Sequence, residues 1–103
     1  MARPLRHKFV VSNVATRAKL RRIAKEQGRE AAIEIIEDGL KQANRSETPY
    51  KSGRMQRRFT IRRVSLFTYM LIWRTSYAVY VEGRTPFVDR FDRVAQSNIR
   101  ARV

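Results

Sequence analysis

The chain has no cysteine, one histidine, three prolines, four glycines and only nine carboxylates against 23 lysines and arginines in 103 residues. Without cysteine there is neither a disulfide framework nor a thiolate metal site, and folding in a reducing cytoplasm is allowed. The glycines stand alone at positions 28, 39, 53 and 83, so no Gly-rich phosphate loop exists. The longest apolar stretch, Leu66 to Trp73, is of strand length, well below the roughly 18–20 residues a membrane-spanning helix needs. Met1-Ala2-Arg3-Pro4-Leu5-Arg6 is charged but no signal-like apolar region follows it. A soluble chain that remains where it is made, with no membrane partner, is expected.

The scarcity of histidine and the placement of the acids also bear on catalysis. His7 lies in a basic segment with no carboxylate or nucleophile beside it in sequence and reads as a surface residue. Glu26, Glu30, Glu34, Glu37 and Asp38 occupy one side of a helical segment, which offers no desolvated acid/base pair. A helix face is also a poor source of the six or more converging oxygens that a hard cation takes. The sequence therefore implies a protein that is not an enzyme, with no cofactor and no metal.

What is abundant is positive charge. The net charge is +14, and arginines outnumber lysines by eighteen to five. Such a chain suits phosphate contacts, each of which releases counterions. It equally suits bidentate pairing with carboxylates at protein interfaces. Composition does not choose between them. At 43% apolar residues the chain can fold, and its length predicts one small domain, residues 1–103.

Residues 1–12 form a basic N-terminal arm, in which Pro4 and Val10-Val11 favour extended backbone or an edge strand. Ser12 or Asn13 then offers a helix cap. Residues 13–44 read as helical, with Gly28 as a break. The first helical piece carries Arg17, Lys19, Arg21, Arg22 and Lys25. In the second, Ala31, Ala32, Ile35, Ile36, Leu40 and Ala43 share one broad side, and the acidic row lies opposite. Asn44 to Gly53 ends the helix. Residues 54–75 read as β structure, with a strand from Arg57 to Val64 and a second from Leu66 to Thr75. The second is apolar on both faces, which predicts a central strand covered on both sides. Tyr77 to Glu82 continues the sheet or forms a short helix, Gly83 to Pro86 breaks it, and 88–101 is a C-terminal helix. The expected fold is α+β: N-terminal helices and a C-terminal helix on a small antiparallel sheet, with a protruding basic β-hairpin or loop arm.

Two charge features point to an interface. Glu26, Glu30 and Glu34 recur at i, i+4, and Glu37 extends the row; like charges at that spacing cost a helix a few tenths of a kcal/mol per pair. From Arg45 to Ser65 the chain carries a net +6, including Arg54, Arg57, Arg58, Arg62 and Arg63. A solvated acidic face is the plain reading. The sharper one has the basic arm of one copy on the acidic helix of the next, a heterologous contact that closes into a ring.

Two motifs sit on either side of the β region. Pro49, Ser52, Gly53 and Met55 form a Pro-x-x-Ser-Gly-x-Met turn in which proline stops the helix and glycine permits positive φ. Tyr77, Ala78, Tyr80, Val81, Glu82 and Gly83 are followed by Pro86 and Phe87. In this order and spacing, over roughly residues 14–100, the chain resembles the head–tail joining and tail-completion proteins of tailed phages. This gene-product-ten-like family is often described as minor capsid protein. Gly83 directly follows Glu82 where members carry an intervening residue, and Phe91 stands where a small residue is common. The resemblance implies a virion component of the neck, assembled in the host cytoplasm as a ring around the DNA passage. A hexamer is implied for a tail-side component and a dodecamer for a head-side adaptor. The partners implied are adaptor, stopper, tail terminator or tube proteins, with non-specific contact to channel DNA. The competing reading is a small basic, sequence-independent nucleic-acid-binding protein. Against it, the aromatics lie in the apolar strand and not on an open platform. A small basic RNase lacks a His/Glu constellation.

Overall fold

In a computed structural model of the chain, residues 4–49, 53–75 and 78–103 are described, Tyr80 by its backbone only. Eight elements follow in order: β1 (Leu5–Val10), α1 (Val14–Gln27), α2 (Arg29–Glu47), α3 (Arg54–Arg57), β2 (Phe59–Arg63), β3 (Thr68–Trp73), α4 (Ala78–Arg84) and α5 (Val88–Arg102). The fold is α+β, as expected. The three strands form one antiparallel sheet in the order β1-β3-β2.

Local chemistry accounts for the helix ends. Asn13 caps α1, its Oδ1 accepting from the Thr16 backbone N–H at 2.9 Å. Gly28 breaks the helical run at φ 99°, ψ 152°, a conformation closed to side chains with a Cβ. The second helix runs to Glu47, three residues beyond the expected Asn44. Its last turn is held by a Thr48 N–H to Asn44 O bond of 3.2 Å. Its buried stripe is Ala32, Ile33, Ile36, Gly39, Leu40 and Ala43, so Ile33 turns inward while Ala31 and Ile35 are only half-buried.

The region after Pro49 departs from the strand reading. Gly53 is left-handed (φ 73°) and opens a helical turn, α3, closed by Arg57 N–H to Gly53 O at 3.0 Å. Arg54 and Arg57 therefore ride on a helix and not on a strand. The turn drives Met55 into the core. The basic hairpin is the β2–β3 pair, whose tip at residues 64–67 is tied to the body by Val11 N–H to Phe67 O at 2.9 Å. Arg17 and Arg21 lie over the Phe67 ring at 5.2 and 5.1 Å.

Strand β3 is central, yet it is not covered on both sides. Tyr69, Leu71 and Trp73 are buried, while Thr68, Met70 and Ile72 remain half-exposed. Period-two alternation puts the two sets on opposite faces. The covered face packs on α2 and α5. Trp73, at the end of β3, is edge-on to Phe87 and Phe91 at centroid distances of 5.3 and 5.4 Å and lies 5.0 Å from Phe59. Segment 78–84 resolves as helix, with Gly83 inside it.

Candidate functional site

His7, on the covered side of β1, is not the isolated surface residue its sequence neighbours imply. Its Nε2 lies 2.8 and 2.9 Å from the Asp92 carboxylate oxygens, joining β1 to α5. Gln96 on the same helix donates from Nε2 to Val10 O at 2.8 Å. The carboxylate partner comes from 85 residues away, which local sequence cannot reveal. Among the described residues no three His, Asp or Glu groups converge as metal ligands.

The acidic row divides in two. Glu26, Glu30 and Glu34 are exposed and form no ion pair among the described residues. Glu37 is half-buried beside Tyr69, and Asp38 pairs with Arg102 at 3.4 Å. Burial pushes the Tyr69 hydroxyl up to about 12, and Glu37 adds to the rise while Arg63 and Arg29 oppose it. Glu37 and Arg63 thus act on the same hydroxyl within one chain.

The five candidate arginines likewise separate. Arg54 and Arg57 are exposed on α3. Arg63 pairs in register with Tyr69, on the covered side. Arg62 and Arg58 belong to the opposite, open side of the sheet. There the register sets Lys8 and Arg62 on either side of Met70, and Arg6 and Thr60 on either side of Ile72. The ladder continues one step further, Arg74 N–H donating to Arg58 O at 2.9 Å. Arg6, Lys8, Arg58, Arg62 and Arg74 are all exposed, and none forms an ion pair among the described residues. No carboxylate occupies any of these strand positions. Sequence reading missed this face because it took Met70 and Ile72 as core. Neither is packed against the core cluster.

The motif residues have structural roles. Pro49 is half-buried just beyond α2, and Gly53 supplies positive φ. Glu82 reaches from α4 to the start of α5, its Oε2 accepting from the Phe87 and Val88 backbone N–H groups at 2.8 and 3.3 Å. Phe87 is buried and Pro86 exposed. A Cβ on Gly83 would meet nothing within 4 Å, so this glycine has no steric requirement. Ser52 and Tyr77 lie outside the described residues.

A polar knot behind Trp73 also escaped the sequence reading. Trp73 Nε1 donates to Asn44 Oδ1 (3.1 Å) and Thr48 Oγ1 (3.2 Å), and Thr48 donates in turn to Asn44 Oδ1 (2.6 Å). Asn44 Nδ2 donates to Gln56 O at 3.0 Å, fastening α2 to α3. The knot fixes the α3 arginines relative to the acidic helix.

Comparison with protein-family models, with curated proteins and with solved structures finds no match to this chain.

Proposed function

We propose that this protein is a structural joining component of a tailed-phage neck. It assembles as a ring between the DNA-filled head and the tail, with its own copies and adjacent neck proteins as partners. The reading rests on the motif resemblance and on one structural observation. Among the described residues, Glu26, Glu30 and Glu34 stand exposed without ion pairs on the α1–α2 side, while Arg54 and Arg57 on α3 likewise form none. Each copy therefore displays both halves of a heterologous joint. The aromatic rings of β3 and β2 pack together and against α5, which supports the joining reading over a base-stacking nucleic-acid binder.

Light scattering after size-exclusion chromatography tests this. The unaltered protein should form a discrete ring at low salt, and Glu30→Arg with Glu34→Arg should reduce it to monomer. Combining those changes with Arg54→Glu and Arg57→Glu should restore assembly. A protein that stays monomeric at every concentration, or rings indifferent to the reversals, would overturn the reading.

A further inference from the structure

We infer that the open face of the sheet is a docking surface for an acidic amphipathic helix of a second protein, separate from the ring joint. Its centre is apolar: Met70 and Ile72 on β3, half-buried and outside the core cluster. Its rims are cationic, with Arg6 and Lys8 on β1 and Arg62 and Arg58 on the β2 side. The rims are two strand spacings apart, about 9.6 Å. A helix with side chains is about 10–12 Å across, so one lying along β3 would be straddled by both. Met70 and Ile72 repeat at about 6.8 Å along the strand, close to the roughly 5.4 Å of one helical turn. An apolar helical stripe would cover them while carboxylates on its flanks meet the cations.

The pattern selects this occupant over others. Phosphates would satisfy the rims and leave Met70 and Ile72 without a partner, since a duplex presents no apolar stripe there. Nor, among the described residues, is there such a helix of sufficient length for a second copy to offer. The exposed side of α2 is acidic but carries no apolar stripe, and α1 and α5 are basic. The occupant is therefore a different protein. The inference does not need the ring, because Arg6, Lys8, Arg62, Met70 and Ile72 belong to one sheet and none of them is in the ring joint.

The test titrates the full chain with three fluorescent probes. These are a peptide of about five helical turns with a leucine stripe flanked by glutamates, a charge-matched peptide with serines in place of the leucines, and duplex DNA. The leucine peptide should bind about tenfold or more tighter than the serine peptide, the scale expected for covering two apolar side chains. Ile72→Thr and Met70→Thr should erase that difference. Arg6→Gln with Arg62→Gln should weaken both peptides and flatten their salt dependence. Equal binding of the two peptides would overturn the inference, as would tighter binding of the duplex or no binding by any probe. Should the threonine variants lose their circular-dichroism signature, the exposed arginine variants and the peptide pair still decide. Repeating the titration on the Glu30→Arg, Glu34→Arg variant separates this surface from the ring joint.

Discussion

Glu82 accepts a hydrogen bond from the backbone N–H of Phe87 at 2.8 Å. The N-cap position of α5 is Phe87 itself, which has no side-chain oxygen to offer. A carboxylate borrowed from α4 takes that role, satisfying two N–H groups and facing the positive end of the helix dipole. Glu82→Ala should cost about 1–2 kcal/mol. Glu82→Gln keeps the oxygen and loses only the charge assistance, so it should cost roughly half as much. Urea unfolding of the three proteins ranks them, and equal stability of all three would show that the cap contributes nothing.

At Gly39 helix α2 packs closely on α5. A Cβ there would lie 2.7 Å from Ile99 Cγ1 and 3.4 Å from the Ile99 backbone nitrogen. Asn98 donates from Nδ2 to Gly39 O at 3.2 Å across the same contact. Alanine gains about 1 kcal/mol of helix propensity, but overpacking costs about 1–3 kcal/mol. The strain should win. Gly39→Ala should lower stability by about 1 kcal/mol, and in an Ile99→Ala background the same change should become neutral or favourable. A double-mutant cycle by chemical denaturation measures this coupling.

Asn44 has three partners in the knot behind Trp73. Replacing it by alanine strands the Gln56 carbonyl and the Thr48 hydroxyl proton and removes one of two acceptors for the indole. Buried groups left unsatisfied cost about 1–3 kcal/mol each at most, so a loss of about 2–3 kcal/mol is expected. Asn44→Asp keeps the acceptor but removes the donor and buries a charge, and it should be no better. Denaturation midpoints and the near-ultraviolet signal of Trp73 report both effects.

The parts of this architecture legible in the sequence are those set by local chemistry. Asn13 as a cap, Gly28 as a break and the apolar stripe around Ile36 and Leu40 follow from neighbours within a turn or two. So does β3, from its run of β-branched and aromatic residues. What sequence reading missed depends on distant partners. His7 meets Asp92 from the far end of the chain, and Asn44 meets Trp73 across 29 positions. The arginines of 54–63 form one basic cluster in sequence, but a left-handed Gly53 and strand pleating send them to three separate places. Met70 and Ile72 read as core because periodicity shows that a face is apolar, without showing whether anything covers it.

Tyr69 should make stability fall at alkaline pH. Its hydroxyl donates to Leu66 O at 3.2 Å inside the covered face, and burial followed by the nearby Glu37 charge raises its pKa from 10.0 to about 12. Below pH 10 both folded and unfolded chains keep the proton, and this preference is fully present. Between pH 10 and about 12 the unfolded chain releases its proton while the folded one retains it, so stability is lost as pH rises. The loss should be about 2 kcal/mol across that window. Tyr69→Phe removes the titration and also the hydrogen bond, so at neutral pH it should cost about 1 kcal/mol. The difference between the two proteins should then shrink as the pH is raised, vanish between pH 10 and 11, and be reversed by pH 12. Guanidinium unfolding at stepped pH provides the comparison, with the other tyrosines and the lysines common to both chains. Parallel pH profiles would mean that the Tyr69 hydroxyl is solvated in the folded protein.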